Sequence, residues 1–287
     1  MENMFGKPQK ALHLYIDEEK KSPKHVGVTY AVLEKFDGWY MYVDYVGGVW
    51  GEIKSRAGRT IPSVQHLNVF KELKPDRDIR VIFEGTIPGM EFKDLNGIFN
   101  RNAPVTEKVV FQVHDVITLE DEDYVTRYLQ AKEVVAKLNT DLVQLVEVLC
   151  VSNEKWKWMQ IYEDIVSRGG EGVILKEASG VYQPNKRNHS LMKIKCEITL
   201  DLVVIGVVKG TGKYANTLGA LQVQDSTGFI HTISGMNDAE RDYFWTFPDE
   251  IIGKVVEVQA MKRISNGSLR EPRFKAIRHD KAVSEID

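Results

Sequence analysis

The sequence contains little cysteine and no long apolar stretch. Its two cysteines, Cys150 and Cys196, have no histidine or cysteine cluster beside them, which argues against a disulfide framework and a zinc site. The longest apolar run, residues 202–208, is far too short to cross a bilayer, and the first residues lack the pattern of a signal peptide. We therefore expect a soluble, cytoplasmic protein with two ordinary buried thiols and no membrane partner.

A large excess of charge of one sign is also missing. The formal net charge of -3 argues against an indiscriminate nucleic-acid coat protein. Acidic residues cluster at positions 17–19 and 120–123, whereas basic residues cluster at 186–195 and 262–281. An enzyme that acts on nucleic acid remains possible, because binding depends on where the charges lie.

The chain is long enough for a substantial core and for two domains, with 287 residues of which 43% are hydrophobic. Apolar periodicity and turn residues predict five strands and two helices in the first part. The strands are predicted at residues 26–34, 39–46, 79–83, 109–113 and 172–176, and the helices at residues 123–149 and 154–168. This pattern predicts an α+β domain over residues 1–197, with mainly antiparallel sheets and packed helices.

From about residue 200 the pattern changes to short strands separated by glycine or Asn-Gly turns. The segments DLVVIGVV, GALQVQD, GFIHTIS and VVEVQAMKRI have the apolar alternation and length of strands. Several short strands with turns between them predict a small all-β barrel of the OB type over residues 198–287.

The sequence KFDG at residues 35–38 is the main candidate for chemistry. A lysine between two strands can direct its amine into a cleft, and the glycine allows a close backbone approach to a ligand. Alone, the pattern K-x-D-G is short enough to be a solvated turn.

An ordered series of further motifs follows KFDG along nearly the whole chain. These are SRAGR (55–59), FEGTI (83–87), VHDV (113–116), EGVILK (171–176), LMKIK (191–195) and RFKAIRHDK (273–281). Their order and spacing resemble the covalent nucleotidyltransferase superfamily. The segments SRAGRTIPSVQHLNVF and NGSLREPRF make the chain more similar to small bacteriophage-type ATP-dependent DNA ligases.

The resemblance implies a nucleotidyltransferase (adenylation) domain followed by an OB-fold domain, and an enzyme that uses ATP and Mg²⁺. Lys35 would take AMP from ATP, AMP would pass to a DNA 5'-phosphate, and a 3'-hydroxyl would then displace AMP and seal the nick. The expected partners are ATP and nicked double-stranded DNA. The chain is expected to act as a monomer, in the host cytoplasm if it is phage-encoded, without the extra DNA-binding domain of larger ligases.

Each motif contributes candidate site residues. A lysine attacks phosphorus only as the neutral amine, and nearby cations favour this form because they lower the pKa of the lysine. Lys193 and Lys195, which would share one face of a strand, could supply these cations. Glu171 is the first candidate for Mg²⁺ and Glu84 the second, because Mg²⁺ is usually bound by few carboxylates and by substrate oxygens. Without the other motifs, the two lysines and the two glutamates would each be interpreted as surface residues.

The resemblance assigns the remaining nucleotide contacts. Asp37, Gly38 and Arg56 would lie near the ribose and phosphates, with Arg56 also suited to a nick 5'-phosphate. The other candidates are His114 for adenine stacking, Glu34 for the adenine amino group, Lys10 for the pocket rim, Lys176 of EGVILK, and Arg278 and Lys281 for the leaving pyrophosphate. Phe111 is an alternative stacking ring, although a core role suits it better.

Three positions depart from the family pattern. Tyr40 replaces an arginine, Thr86 a second carboxylate, and Leu33 a glutamate two residues before the lysine. We hypothesise that Glu34 and Glu84 compensate with carboxylates one or two positions away. The alternatives are an RNA ligase, an RNA-capping guanylyltransferase, which would use GTP, or a nonenzymatic OB-type nucleic-acid binder that forms no covalent adduct.

Overall fold

The computed structural model describes residues 4–14, 25–264 and 266–287. Its internal contacts divide the chain into two compact units, Met1–Lys195 and Cys196–Asp287. The domain boundary predicted after residue 197 lies close to this division and stays a prediction. The acidic stretch at residues 17–19 lies outside the described residues.

The first unit combines strands with three α-helices in the described part of the chain. In chain order they are β1 (Lys10–His13), β2 (Tyr30–Glu34), β3 (Trp39–Val46), β4 (Val49–Trp50), β5 (Lys54–Ser55), β6 (Ile79–Thr86), α1 (Phe92–Phe99), β7 (Val110–Ile117), α2 (Tyr124–Leu138), β8 (Val143–Leu145), β9 (Val148–Ser152), α3 (Lys155–Ser167), β10 (Gly172–Glu177) and β11 (Arg187–Lys195).

These strands form two sheets. The first sheet has the order β1-β11-β10-β2-β9, and the second has the order β4-β3-β6-β7-β8 with β5 beside β3. All pairs are antiparallel except β1 with β11 and β7 with β8. Residues 35–38 join β2 of the first sheet to β3 of the second, so KFDG lies where the chain passes between the sheets. The predicted α+β class with mainly antiparallel sheets is confirmed.

The helix predicted over residues 123–149 is wrong beyond Leu138. Asp123 caps α2 by accepting a hydrogen bond from the backbone of Thr126, but Asn139 adopts a left-handed conformation with φ of 42° and ends the helix. The apolar residues that follow form two strands. Strand β8 pairs with β7, and β9 pairs with β2. Helix α3 occupies most of its predicted range.

The second unit is mainly β. It contains β12 (Ile198–Lys209), β13 (Leu218–Gln224), β14 (Ile230–Ile233), α4 (Asp238–Thr246), β15 (Val255–Ala260) and β16 (Arg273–Ile277). The strands form an antiparallel sheet in the order β14-β13-β12-β15-β16, with its own apolar core. Helix α4 was not predicted. It begins at a capping box in which Asn237 and Glu240 bond each other's backbone, and this signal of a helix start lies among segments whose pattern predicts strands.

Cys150 and Cys196 are free thiols of intermediate exposure, so the prediction that both are buried is wrong. Cys150 lies on β9, an edge strand of the first sheet, which explains its partial exposure. None of the helices in the described ranges is both long enough and apolar enough to cross a membrane.

Candidate active site

The Lys35 side chain lies against a buried carboxylate. Its Nζ donates a hydrogen bond of 2.5 Å to Oε2 of Glu171, whose side chain is only 6% exposed. Nζ of Lys195 lies 3.8 Å from Oε1 of the same carboxylate. Glu171 therefore holds two ammonium groups close together, and the Lys35 side chain keeps 20% of its surface exposed to a ligand.

Two glycines make this arrangement possible. Gly172 has φ of 139°, and a Cβ there would lie 2.1 Å from the Ile194 carbonyl oxygen, so only glycine allows β10 to approach β11 beside Glu171. A Cβ on Gly38 would lie 2.9 Å from the Gly85 carbonyl oxygen. From the sequence we expected a ligand to lie close to Gly38, whereas the structure shows the backbone of β6 at this position.

Glu84, on β6, lies within the electrostatic influence of Lys35, Arg56, Glu171 and Asp37. Burial, the largest effect, raises the pKa of Glu84 to about 7, although Lys35 and Arg56 act in the opposite direction. Among the described residues, no group of three or more His, Cys, Asp or Glu side chains is placed to bind a metal.

We expect Glu84→Gln to change how stability depends on pH. The raised pKa means that the folded protein keeps the Glu84 proton where the unfolded chain loses it, so the stability that Glu84 contributes is lost as pH rises from about 4.5 to about 7. The variant should therefore lose less stability over this range. Thermal unfolding at several pH values measures the effect, with Glu72→Gln, at an exposed position, as control. Parallel curves for wild type and Glu84→Gln would contradict the prediction.

Tyr40 supports Arg56 through its ring. The Arg56 guanidinium carbon lies 4.0 Å from the centroid of the Tyr40 ring, within the range of a cation–π contact. A second neighbour is His114, whose ring centroid lies 6.2 Å from that of Tyr40. The departure from arginine at position 40 thus provides a platform for Arg56 beside His114.

Lys176 fixes the ring of His114. Its Nζ lies 3.2 Å from Nδ1 of His114 and donates to the His114 carbonyl oxygen at 2.8 Å. Because an ammonium can only donate, Nδ1 must accept and the proton of the neutral ring lies on Nε2. Burial and then the Lys176 charge lower the pKa of His114 to about 3, so the ring is neutral at physiological pH.

The structure favours His114 over Phe111 as the adenine-stacking ring. Phe111 is fully buried and packs against Phe83, with ring centroids 4.8 Å apart, and against Phe70 in the core of the second sheet. Its core role agrees with the preferred interpretation of the sequence. A neutral imidazole offers a flat face for a base, although stacking by His114 stays a prediction.

Replacing His114 tests this assignment. For the lysyl-AMP route that the family resemblance implies, we expect His114→Ala to raise the KM for ATP in protein adenylylation by about tenfold or more, because base stacking on a ring contributes about 1–3 kcal/mol. His114→Phe should stay within about threefold of wild type, because it keeps the ring. The measurement is the rate of AMP transfer against ATP concentration. Equal KM values for His114→Ala and wild type would exclude the stacking role.

The sequence did not reveal the ion network beneath His114. Asp115 accepts hydrogen bonds from Lys176 Nζ and from Arg127 Nε, each at 2.9 Å, and all three side chains are at most 7% exposed. The network joins β10 of the first sheet directly to β7 of the second, and Arg127 links α2 to the same carboxylate. Arg127 was not among the candidates, because nothing in the local sequence of α2 links it to Asp115. Direct contact of Lys176 with the nucleotide stays a prediction.

The candidates Glu34, Lys193, Lys195 and Lys10 lie on strands of the first sheet. Glu34 accepts a 2.6 Å hydrogen bond from Arg168 Nη2, and Lys193 and Lys195 alternate along β11 with buried residues, so both point to one face. Lys10 is exposed on β1, which pairs with β11. Their nucleotide contacts stay predictions.

The two candidates of the second unit are bound by one carboxylate. Arg278 Nη1 donates to both oxygens of Asp201 at 3.0 Å, and Lys281 Nζ contacts Asp201 Oδ2. Arg278 also donates through Nε and Nη2 to Asp280, at 2.9 and 2.7 Å. The sequence placed Arg278 and Lys281 in one motif but gave no indication of Asp201.

Comparison with known proteins identifies both units. A family model for the ATP dependent DNA ligase domain matches residues 20–195, and one for a DNA ligase OB-like domain matches residues 209–278. The predicted OB character of the second unit is therefore confirmed.

Individual relatives are also DNA ligases. A DNA ligase of Archaeoglobus fulgidus is 26% identical over 90% of this chain and 53% of its own length. A DNA ligase of Methanosphaerula palustris is 33% identical over 44% of this chain and 27% of its own length. The solved structure named Pmar-Lig_Pre superposes with a TM-score of 0.77 at 26% identity, covering 96% of this chain and 68% of that one. The chain thus spans about half or less of these curated relatives.

Proposed function

Because the chain belongs to the ATP-dependent DNA ligase family, we propose that it seals nicks between a 5'-phosphate and a 3'-hydroxyl in duplex DNA through a covalent lysyl-AMP intermediate. The observation that carries this proposal is the position of Lys35. Its amine is partly exposed between the two sheets, on a carboxylate that also holds Lys195. The working unit that we propose is a monomer that acts on DNA in the cytoplasm.

The first step forms a bond between Lys35 Nζ and the α-phosphorus of ATP while the bond from that phosphorus to the bridging oxygen breaks, so pyrophosphate leaves. The amine must lose a proton before it attacks, and Oε2 of Glu171 already accepts a hydrogen bond from it at 2.5 Å. Lys195, and Lys193 on the same face of β11, would offset the negative charge that develops on the phosphate oxygens.

The two later steps use the same centre. An oxygen of the DNA 5'-phosphate attacks the phosphorus of lysyl-AMP, and the bond to Lys35 Nζ breaks. The 3'-hydroxyl then attacks the 5'-phosphorus, forms the phosphodiester and releases AMP. Arg56, supported by the Tyr40 ring, is the residue that we assign to the 5'-phosphate, because its planar donors match phosphate oxygens.

Glu171 and Glu84 would hold Mg²⁺ in this proposal. The donor set fits, because Mg²⁺ is usually bound by one or two carboxylates together with substrate phosphates. When bound, the ion would neutralise phosphate charge during nucleotidyl transfer. A nearby cation would also favour the ionised form of Glu84, whose pKa of about 7 leaves a large protonated fraction at neutral pH.

The test is sealing of a 5'-phosphorylated nick in duplex DNA with ATP and magnesium, read as conversion of the labelled strand to full length. Parallel reactions contain GTP instead of ATP, or a nicked RNA duplex instead of DNA. Full-length DNA formed only with ATP supports the proposal. Preferred use of GTP or RNA would favour capping or RNA ligation, and absence of any covalent nucleotide adduct would favour a binding protein.

A further inference from the structure

Asp201 joins the two cationic residues at the end of the chain to β12. Its carboxylate is 7% exposed and lies between the Arg278 guanidinium and the Lys281 ammonium. Both cationic side chains keep part of their surface accessible, at 25% for Arg278 and 31% for Lys281. The two positive groups therefore meet at one buried anion, while Nε and Nη2 of Arg278 also donate to Asp280.

The position of Asp201 is itself fixed from two directions. Its backbone N donates to the Asp287 carboxylate at 2.6 Å, and the backbone N of Asp287 donates back to the Asp201 carbonyl oxygen at 2.9 Å. Asp201 also lies within β12, where it pairs with Glu257 of β15. Because its backbone is held in this way, Asp201 can orient the side chains that bind its carboxylate.

Charge explains what such an anchor does. Two long cationic side chains that converge on one point repel each other, and each loses rotamer entropy when it is held there. A carboxylate between them offsets the repulsion and orders both side chains before a ligand arrives. The hydrogen bond to Asp201 also raises the pKa of Lys281, which keeps that ammonium charged.

We infer that Asp201 is a positioning residue for the adenylylation step, because it holds Arg278 and Lys281 as a preformed pair for the triphosphate of ATP. This inference rests on the proposed function and on the role that the family resemblance implies for Arg278 and Lys281, which is contact with the leaving pyrophosphate. It adds a carboxylate that need not touch the nucleotide itself. Asp280 is not equivalent, because it contacts only Arg278 of the pair.

The test is Asp201→Asn, which keeps the size of the side chain and removes its charge. We expect the KM for ATP in formation of the protein–AMP adduct to rise about tenfold, the scale of one lost charge-assisted hydrogen bond, with a smaller change in kcat. Sealing of a nick that already carries AMP on its 5'-phosphate needs no triphosphate, so its rate should not change. Asp249→Asn, at an exposed position of the same unit, is the matched control.

A double-mutant cycle with Lys281→Met separates positioning from general damage. If Asp201 acts through Lys281, the two substitutions together should raise the KM for ATP by less than the product of their separate effects. Should Asp201→Asn fail to fold, Asp201→Glu replaces it, because it keeps the charge but displaces the anchor. It should also raise the KM and leave sealing of the adenylylated nick unchanged.

Three results would overturn the inference. One is an unchanged KM in Asp201→Asn, and another is a lowered KM, which would make Asp201 a competitor of the triphosphate. The third is an equal loss in sealing of the adenylylated nick, which would indicate a merely structural role. A wild-type protein that forms no AMP adduct would instead remove the proposed function and this inference with it.

Discussion

Lys35→Ala should lower formation of the covalent protein–AMP adduct by at least about ten-thousandfold, because removal of a covalent nucleophile removes the reaction path itself. The measurement is transfer of radiolabelled AMP from ATP to the protein, followed by denaturing electrophoresis. In the structure the Lys35 ammonium is held by Oε2 of Glu171, and Nζ of Lys195 lies 3.8 Å from the other oxygen of that carboxylate. Lys195 is already present in the wild type and extends from β11 rather than from the connection between β2 and β3, so we do not expect it to replace Lys35 as the nucleophile.

The same variant should keep the last step. Sealing of a nick that already carries AMP does not use the Lys35 nucleophile, so its rate should fall by no more than about tenfold, the loss of one charged contact to phosphate. Lys71→Ala, which removes an exposed lysine elsewhere in the unit, should behave as wild type in both assays. Sealing of unadenylylated nicks by Lys35→Ala at an appreciable rate would exclude the lysyl-AMP route.

Much of this centre could be predicted from the sequence because its motifs lie on regular elements. KFDG occupies the predicted connection between strands, and residues 39–46 form the predicted strand β3. Strand β11 places Lys193 and Lys195 on one face because side chains alternate along any strand. Such features depend on local backbone geometry, which local sequence patterns record.

Other parts of the centre could not be predicted because they depend on partners far away in sequence. Asp115 and Arg127 belong to a strand and a helix, and Lys176 comes from a different sheet. Asp201 lies in an apolar strand that carries no mark of its contact with Arg278. The helix predicted over residues 123–149 was too long for a local reason. The apolar spacing fits both a helix and strands, and the left-handed residue Asn139 ends the helix.

The network beneath His114 should make a large contribution to stability. Asp115→Asn leaves Lys176 and Arg127 as buried cations without their shared anion, and removal of one partner from a buried ion network costs about 3–5 kcal/mol. The free energy of unfolding, measured by urea titration at neutral pH, should fall by this amount. Lys132→Met, an exposed change on the same helix as Arg127, should have little effect.

The dependence on pH identifies the source of this stability. Burial alone would raise the pKa of Asp115, but Arg127 and Lys176 outweigh it and lower the pKa to about 2. A carboxyl whose pKa is lower in the folded state stabilises the protein above its unfolded pKa of about 4, and this stability is lost as pH falls towards about 2.

The difference between wild type and Asp115→Asn should therefore be constant above about pH 4 and shrink below it. Asp94→Asn, at an exposed position of α1, should show no such convergence. A stability difference that stays constant down to about pH 2 would mean that the introduced amide fails to pack. If the stabilities of the two proteins converge, the lost stability of the variant is due to the Asp115 charge that holds Lys176 beneath His114.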